Sequence, residues 1–402
     1  MPGCLETILF ENLQAMPADA ILKLIAEHEN DTRVEKIDLG VGVYRDERGQ
    51  TPVLGTVKKA ERYLIENQPS KSYLGSGGNP EFNAAIQDLM FGSGSTANGR
   101  ITTLQTPGGS GSLRVAAGVI QRGNTDAIIV AGEPTWANHV PLLSSAGVEM
   151  RTYPFYDSEK KSIRFEDMLA AIDSAQPGNV ILLHGCCHNP TGMDLSQEQW
   201  RDVADVIASR QLIPFIDFAY QGFADSLDGD AFGVRHFLDK VPEMIVSGSC
   251  SKNFALYRDR VGALSFVAKD EKTAAIIRSQ ANNIVRTMYS MPPDHGAAVV
   301  SHILADPQLR PEWEQELNGM RQRLKDMRAM LGTALRENAP NHDFSHIEKA
   351  KGMFSYLGVS PDQVQRLKTD FGIYMVGSSR INVAGITSDN VAYLAQSIAA
   401  VL

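Results

Sequence analysis

A lysine lies in the short run that follows a predicted strand in the middle of this chain. Lys252 belongs to the run Ser247-Gly248-Ser249-Cys250-Ser251-Lys252-Asn253-Phe254, which follows an apolar strand predicted at Met244 to Val246. Because ligands of parallel sheets bind at the carboxyl ends of the strands, Lys252 is a candidate for covalent or acid–base chemistry. A lysine considered alone is usually a solvated surface residue, so this interpretation depends on what surrounds it.

A carboxylate follows another strongly apolar run. Asp217 comes directly after Leu212 to Ile216 and before Phe218, so we expect it at the buried carboxyl end of a strand. A charge is costly there without a cation. A pyridinium N–H would supply that cation, and the ion pair would keep the ring nitrogen protonated, as pyridoxal 5′-phosphate (PLP) requires in order to accept electrons. A capped turn or a buried salt bridge is the structural alternative.

A glycine-rich run could hold a phosphate. Gly108-Gly109-Ser110-Gly111-Ser112-Leu113 follows a possible strand and opens a predicted helix, and backbone N–H groups at a helix start bind anions. Arg114 stands where a dinucleotide fingerprint needs a small residue, and no Walker A lysine follows, so NAD and ATP are disfavoured. The signal is weak by itself, because a tight turn would use the same glycines.

The elements that must position these residues alternate along the chain. Continuous apolar runs separated by helices favour a mostly parallel sheet that is buried on both faces. Helices are predicted at Leu113–Gln121, His139–Ala146, Phe165–Ala175 and Gln197–Arg210, and strands at Ala127–Val130, near Val148, and at Val180–Leu183, Ile213–Ile216, Met244–Val246 and Ala263–Val267.

The two ends of the chain predict a second, smaller α+β unit. An amphipathic helix and a short strand come first, and a long charged helix followed by short strands closes the sequence. The predicted ranges are helix Pro17–Asn30 and strand Ile37–Val43 at the start, then helix Leu309–Arg336 and strands Met353–Val359, Ile373–Val376 and Ile381–Val383.

Composition excludes several classes of protein. The 402 residues carry a formal net charge of −9 with no basic run, which disfavours nucleic acid as a partner. Met1 to Glu11 lacks the basic start of a signal peptide, and no stretch approaches the roughly 18 apolar residues of a membrane span, so no membrane partner and a cytoplasmic location are expected. The four cysteines contain no C-x-x-C spacing and are interpreted as reduced thiols.

No metal site is predicted. His184-Gly185-Cys186-Cys187-His188 contains metal-binding residue types. If the segment continues as a strand, residues four apart lie roughly 13 Å from each other, which is too far to share one zinc ion.

Seven motifs, in order, resemble the aspartate/aromatic aminotransferase branch of the fold-type I PLP enzymes over nearly the whole chain. The resemblance is strongest to bacterial aromatic amino acid aminotransferases. It is carried by Asp38-Leu39-Gly40-Val41-Gly42-Val43-Tyr44, Gly108-Gly109-Ser110-Gly111, Pro134-Thr135-Trp136, His188-Asn189-Pro190-Thr191-Gly192, Asp217-Phe218-Ala219-Tyr220-Gln221-Gly222, Ser251-Lys252-Asn253-Phe254 and Ser379-Arg380-Ile381-Asn382.

The resemblance implies the fold class and its division into domains. The class is α/β: a large PLP-binding domain with a mostly parallel seven-stranded sheet, and a smaller α+β domain. The implied ranges are an N-terminal arm at 1–15, the small domain at 16–48 and 311–402, and the large domain at 49–310.

The resemblance also implies the cofactor contacts. Lys252 would carry PLP as a Schiff base and later move a proton between the substrate Cα and the cofactor C4′. The remaining implied contacts are Trp136 stacked on the ring, Asn189 and Tyr220 on the phenolic oxygen, Asp217 on the ring nitrogen with His139 behind it, and Gly109, Ser110, Ser249 and Arg260 on the phosphate, with Tyr73 from the other subunit of a homodimer.

Arginines are the implied substrate contacts. Arg380 would bind both oxygens of the α-carboxylate, next to the backbone of Gly42 and beside Trp136 and Asn189. Arg286 would read a side-chain carboxylate across the dimer interface, which supports 2-oxoglutarate as the amino acceptor.

Two departures from aspartate-selective relatives favour an aromatic substrate. Met291 stands where those relatives typically have Asn, and Ser110 replaces their usual Thr. An adaptable Met and a smaller residue could make room for a ring. The prediction is an aromatic amino acid aminotransferase that transfers the amino group of phenylalanine, tyrosine, tryptophan or aspartate to 2-oxoglutarate by ping-pong chemistry.

Three alternatives stay open at this point. The first is a strict aspartate aminotransferase. The second is PLP-dependent β-elimination or decarboxylation, which the same electron sink permits. The third is a nucleotide-binding or regulatory protein in which Lys252 is inert.

Overall fold

The computed structural model describes residues 10–16, 20–95 and 98–402, and helices cover much of them. The helices are α1 Ala20–Asn30, α2 Gly55–Asn67, α3 Pro80–Phe91, α4 Gly108–Gly123, α5 His139–Ser144, α6 Phe165–Asp173, α7 Gln197–Ser209, α8 Leu227–Asp230, α9 Phe232–Lys240, α10 Glu271–Met288, α11 His295–Ala305, α12 Leu309–Asn338, α13 Ser345–Lys349, α14 Pro361–Phe371 and α15 Val391–Val401, with a 3₁₀ turn at Val383–Gly385.

The strands are shorter and mostly belong to one sheet. They are β1 Ile37–Asp38, β2 Ile101–Pro107, β3 Ile128–Glu133, β4 Glu149–Pro154, β5 Tyr156–Asp157, β6 Ser162–Ile163, β7 Val180–His184, β8 Ile213–Phe218, β9 Met244–Ser249, β10 Val261–Val267, β11 Phe354–Tyr356, β12 Ile373–Tyr374 and β13 Arg380–Asn382.

The central sheet has seven strands in the order β2-β10-β9-β8-β7-β3-β4. Neighbours from β4 to β9 run parallel, whereas β10 is antiparallel to both β9 and β2. Every residue of β9 and β10 is buried, as expected for strands covered by helices on both faces. The prediction of a mostly parallel seven-stranded sheet is confirmed.

The register of the sheet brings the predicted chemistry to one edge. Asp217 of β8 lies opposite Ser247 of β9 and His184 of β7, and β2 leads directly into α4 at Gly108. β7, β8 and β9 are parallel, and β2 runs in the same direction because β10 is antiparallel to both β2 and β9. The segments that follow these four strands therefore leave the sheet on the same side. The lysine run, Asp217 and the glycine-rich run are therefore neighbours.

The second unit is built from both ends of the chain. β1 pairs with β12 in parallel, and β11 pairs with β13 antiparallel, while α12 packs against α15 and α13. The predicted helix over residues 17–30 is present from Ala20, and residues 17–19 lie outside the described ranges. None of the helices in the described part of the chain combines the length and apolar content needed to cross a bilayer.

The predicted strand Ile37–Val43 is wrong beyond Asp38. The chain leaves β1 there and continues as an irregular segment, Leu39–Val43. Its carbonyls at Gly40, Val41 and Val43 accept hydrogen bonds from side chains of β13 rather than from a strand backbone. A strand ladder cannot form where side chains already occupy the carbonyls.

Candidate active site

A cavity of about 250 Å³ lies where β7, β8 and β9 end. Eleven of the thirteen predicted site residues line it, and Tyr73 and Arg286 do not. The predicted residues in its wall are Gly42, Gly109, Ser110, Trp136, Asn189, Asp217, Tyr220, Ser249, Lys252, Arg260 and Arg380.

Lys252 is a partly buried amine in this cavity. Its Nζ lies 4.7 Å from the centre of the Tyr220 ring. Burial lowers the pKa of Lys252 to about 8, with Asp217 acting in the opposite direction and Arg260 in the same one. A larger fraction of the amine is therefore neutral near pH 7 than for a solvated lysine, and only a neutral amine is nucleophilic.

The residues after Lys252 are held by a buried indole. Trp313 of α12 donates from Nε1 to the Asn253 carbonyl at 2.8 Å, and its ring stacks on Phe254 with centroids 4.3 Å apart. Because Asn253 and Phe254 are both held by this indole, the backbone that carries Lys252 is fixed at the cavity wall.

Asp217 is a buried carboxylate with one oxygen in use. His139 Nε2 donates to its Oδ2 at 2.9 Å, because a carboxylate can only accept. Burial by itself raises the pKa of Asp217, but the hydrogen bond and the charge from His139 outweigh it and the pKa is lowered. Within the described residues, Oδ1 accepts no hydrogen bond, so it is free to face a cationic N–H.

A short relay continues behind Asp217. The Thr135 hydroxyl lies 2.7 Å from His139 Nδ1 and 3.0 Å from His184 Nε2. Burial, together with His139, lowers the pKa of His184 to about 3, so this ring is neutral near pH 7. The Thr135 hydroxyl therefore connects the two rings and holds His139 with its Nε2 on Asp217.

An anion cradle lies at the start of α4. Gly108 has a φ of +70°, and a Cβ atom there would lie 2.4 Å from Arg260 Nη2. Arg260 Nη1 donates to the Tyr257 carbonyl at 2.9 Å, which holds the guanidinium against the helix N-terminus. A cation beside the exposed N–H groups of a helix suits a phosphate.

Arg380 is a buried guanidinium with unused hydrogen-bonding capacity. Its Nη2 donates to the Gly40 carbonyl at 2.8 Å and its Nη1 to Asn189 Oδ1 at 3.4 Å. It lies 4.5 Å above the centre of the Phe354 ring, and among the described residues its buried Nε has no partner. A guanidinium in this state fits a carboxylate ligand.

The two predicted residues outside the cavity are both exposed. Tyr73 is 94% exposed, and the exposed Arg286 donates from Nη1 to the Ser290 hydroxyl. Neither reaches the cavity of its own chain. This placement is compatible with the predicted contribution to a partner's site, which stays a prediction.

The distance argument applied to His184 and His188 is wrong. Their ring centres lie 4.1 Å apart rather than roughly 13 Å, because β7 ends at His184 and the chain turns, with Cys187 at a φ of +51°. Within the described residues no group of three or more potential metal ligands is arranged to hold a metal ion.

Seven further residues line the cavity and were not predicted. Four of them lie within three residues of a predicted residue and could have been found from that proximity. Ala219 and Ser251 directly precede Tyr220 and Lys252, Tyr257 lies three residues before Arg260, and Leu113 lies three residues after Ser110. Phe354 arrives from the small unit and carries no local signal. The full set is Ile21, Leu113, His184, Ala219, Ser251, Tyr257 and Phe354.

The residues present fit PLP. The cradle at Gly108 suits its phosphate, the free Oδ1 of Asp217 suits a pyridinium N–H, and the amine of Lys252 suits its aldehyde. Arg380, a buried arginine whose Nε has no partner among the described residues, lines the same cavity. Fold and site together define a PLP-dependent enzyme that acts on carboxylates.

Comparison with known proteins gives the family. The chain belongs to the class I and II aminotransferases, whose family model matches residues 34–398. It is therefore a PLP-dependent aminotransferase, and its substrates are amino acids and 2-oxo acids.

Full-length relatives carry two different names. An aspartate aminotransferase of Escherichia coli strain K12 is 48% identical over 98% of this chain and 100% of its own. An aromatic-amino-acid aminotransferase of Pseudomonas aeruginosa is 44% identical over 98% of both chains. An aromatic-amino-acid aminotransferase structure from Burkholderia pseudomallei, covalently bound to pyridoxal phosphate, superimposes with a TM-score of 0.96 at 42% identity, over 98% of this chain and 100% of that one.

Proposed function

We propose that this chain is an aromatic amino acid aminotransferase that also accepts aspartate and uses 2-oxoglutarate as the amino acceptor. The observation that carries the proposal is that one cavity holds Lys252, Asp217 and Arg380. The first supplies an amine, the second a buried negative charge, and the third a site for a carboxylate.

Each residue would do one task in both halves of the reaction. PLP, when bound, accepts the electron pair that is released when the substrate Cα–H bond breaks. Lys252 Nζ would hold the cofactor and, once the substrate amine has replaced it, carry the proton from Cα to C4′. Asp217 Oδ1 would keep a proton on the ring nitrogen, because a buried carboxylate stabilises a cationic N–H beside it.

The other residues would bind and orient. Trp136 would stack on the ring, and Asn189 and Tyr220 would hydrogen-bond the phenolic oxygen. Gly109, Ser110, Ser249 and Arg260 would hold the phosphate, and Arg380, with Gly42, would hold the α-carboxylate so that the Cα–H bond has one orientation.

The aromatic preference rests on two residues. Ser110 lines the cavity, where it leaves more room than threonine would. Met291 is half-buried, directly after the Ser290 that Arg286 contacts. A flexible thioether beside this arginine would accept a ring and still leave the arginine available for a dicarboxylate.

A strict aspartate aminotransferase is the second candidate. It is favoured by the higher identity to the Escherichia coli aspartate enzyme, 48% against 44% for the Pseudomonas aeruginosa aromatic enzyme. A difference this small does not decide between substrates that differ at a few side chains, so a kinetic comparison is needed.

Half-reactions would separate the two candidates. We expect PLP-loaded protein to convert to the pyridoxamine form with phenylalanine and with aspartate, followed as loss of the absorbance of the lysine-linked cofactor. Met291→Asn and Ser110→Thr should each lower the ratio of phenylalanine to aspartate rates by about tenfold, the order expected for a change of a methylene or methyl group in an apolar pocket.

The matched control is Met330→Asn, at a half-buried methionine of α12 outside the cavity. It should leave the ratio of the two rates unchanged. Conversion by aspartate alone would establish the strict aspartate enzyme, and conversion by neither would refute both candidates.

A homodimer with shared sites is part of the proposal. Tyr73 and Arg286 are exposed in one chain, and large apolar side chains are exposed on α2 and α10: Tyr63 is 47% exposed, Ile65 81% and Ile276 54%. Exposed apolar groups of this size favour burial against another chain.

Mixed dimers would test the sharing. We expect a dimer of one Lys252→Ala and one Arg286→Ala subunit to have about half of the wild-type activity toward aspartate, because one of its two sites would then contain both wild-type residues. Differently tagged subunits allow the mixed dimer to be purified, with both parental homodimers as controls. If Arg286 served its own chain, the mixed dimer would have no more than half of the activity of the Arg286→Ala homodimer.

We also propose that the protein is cytoplasmic and that its small domain consists of residues 16–48 and 311–402 around a large domain of residues 49–310. Support for the small domain of 16–48 and 311–402 comes from the β1–β12 pair, which joins its two segments. A reducing compartment agrees with the free thiols of Cys186, Cys187 and Cys250.

A further inference from the structure

The irregular segment Leu39–Val43 forms part of the cavity mouth and is held by side chains of one strand. Gly42 lines the cavity, although no helix or strand includes it. β13 supplies two side chains to the segment, from Arg380 and Asn382, which lie two residues apart and therefore on the same face of the strand.

Asn382 uses all of its hydrogen-bonding groups within the protein. Its Nδ2 donates to the Val41 carbonyl at 2.6 Å and to the Val43 carbonyl at 2.8 Å, and its Oδ1 accepts from the Ala384 N–H at 3.0 Å. The residue is 1% exposed. With both amide protons in use, Asn382 is not itself a ligand of the substrate.

The contacts of Asn382 determine the direction in which the Gly42 N–H points. In a trans peptide the C=O and the following N–H point in opposite directions. Binding the Val41 carbonyl to Asn382 therefore directs the Gly42 N–H away from Asn382. The bond to the Val43 carbonyl holds the peptide between Val43 and Tyr44, so the chain is fixed directly before Gly42 and again one residue after it.

We infer that Asn382 is a positioning residue for the substrate α-carboxylate: it directs the Gly42 N–H into the cavity beside the Arg380 guanidinium. The inference rests on the proposed function, since it takes the cavity to bind an α-carboxylate. A carbonyl that accepts a hydrogen bond also makes the N–H of the same peptide a better donor, so Asn382 strengthens the group that it orients.

Arg380 is tied to the same segment. Its Nη2 bonds to the Gly40 carbonyl at 2.8 Å, and Asp38 Oδ1 accepts from the Gly40 N–H at 2.9 Å. Space at Gly42 is limited, because a Cβ there would lie 3.3 Å from Phe354 Cζ. Phe354 in turn pairs with Asn382 in the β11–β13 ladder. The two groups proposed to hold the carboxylate, the Gly42 N–H and the Arg380 guanidinium, are thus both positioned by β13.

The experiment compares phenylalanine with phenylalanine amide, in which a neutral carboxamide replaces the α-carboxylate. Single-turnover rates would be measured for wild type and Asn382→Ala, with retained PLP measured from absorbance. We expect the ratio of the two rates to fall about tenfold in the variant, the order expected for loss of one hydrogen bond to a charged group. The loss should appear mainly in KM for phenylalanine, with PLP content unchanged.

Asn390→Ala is the matched control. Asn390 also holds the local backbone, through Nδ2 to the Gly385 carbonyl and Oδ1 to the Thr387 N–H, but it does not contact the Leu39–Val43 segment. Its ratio should equal that of wild type. Asn382→Asp keeps the shape of the side chain and the Ala384 contact while placing an oxygen against the two carbonyls, and it should lower the ratio at least as far as alanine.

The outcomes separate the inference from the proposed function. A wild-type enzyme that does not distinguish phenylalanine from its amide would refute the α-carboxylate site, and Asn382 would lose its role with it. A wild type that distinguishes them, with unchanged ratios in both Asn382 variants, would overturn the inference alone. So would loss of PLP by both variants, because Asn382 would then support the fold and not the carboxylate site.

Discussion

Replacing Lys252 by alanine is expected to remove essentially all transamination, with a fall of at least about 10⁴-fold, at the upper end of what a positioned acid–base group contributes. No other amine lines the cavity among the described residues, so neither the proton transfer nor the covalent link to PLP has a substitute. The measurement is the turnover of phenylalanine with 2-oxoglutarate, together with the absorbance of the purified protein. The absorbance of the lysine-linked cofactor should be missing.

Lys269→Ala is the control for this experiment. Lys269 is exposed and follows the far end of β10 from Arg260, so its loss should leave turnover and absorbance as in wild type. Ordinary turnover by Lys252→Ala would show that the amine is not part of the reaction, and the proposed roles of Asp217 and Arg380 would need another partner.

Replacing Asp217 by alanine should slow the reaction strongly while the lysine-linked cofactor still forms. Removing one partner of a buried ion pair costs roughly 3–5 kcal/mol, which corresponds to about 10²- to 5 × 10³-fold in rate if the cost is incurred in the transition state. Asp217→Asn should lose as much, because the negative charge holds the proton on the ring nitrogen. Single-turnover rates with phenylalanine, and a pH titration of the cofactor absorbance, would measure the effect.

His139→Ala separates charge from orientation. It removes the 2.9 Å hydrogen bond to Asp217 Oδ2 but leaves the carboxylate, so a smaller loss of about tenfold is expected, as for one hydrogen bond. Equal losses in His139→Ala and Asp217→Asn would mean that the position of the carboxylate matters more than its charge. Wild-type rates in both Asp217 variants would make this residue structural.

The central sheet could be predicted because its strands carry their own signal. β8 and β9 begin with the continuous apolar runs Ile213–Ile216 and Met244–Val246, as expected for strands that are buried on both faces. Helix α3 was missed although the chain contains a start signal for it: Asn79 accepts from the Phe82 N–H and is followed by Pro80. Helix α10 was missed because few of its positions are buried, mainly Ala274, Ala281, Ile284 and Val285, and polar residues separate them.

The site residues likewise divide into those that the sequence could predict and those that it could not. Asp217 lies at the end of a strand, and Lys252 and the run at Gly108 follow strands of the same mostly parallel sheet, so topology alone brings them to one edge. Phe354 and the contacts of Asn382 depend on how the small unit packs, which no local pattern encodes. Segment Leu39–Val43 alternates apolar residues with glycines and was predicted as a strand for that reason, whereas the partners of its carbonyls lie about 340 residues further along the chain.

Helix α12 contacts both the segment that carries Lys252 and the small unit that carries Arg380. Near its start, Trp313 anchors the residue after Lys252; fifteen residues later, Arg328 donates to the Phe354 carbonyl at 2.6 Å. At 1.5 Å per residue these anchors are separated by about 22 Å of continuous helix. Phe354 belongs to β11, whose Tyr356 pairs with Arg380 of β13. The distance between Lys252 and Arg380, the arginine proposed to bind the carboxylate, is thus set by one continuous helix rather than by flexible connections. Loops between the two units can therefore vary in length without changing the distance between Lys252 and Arg380.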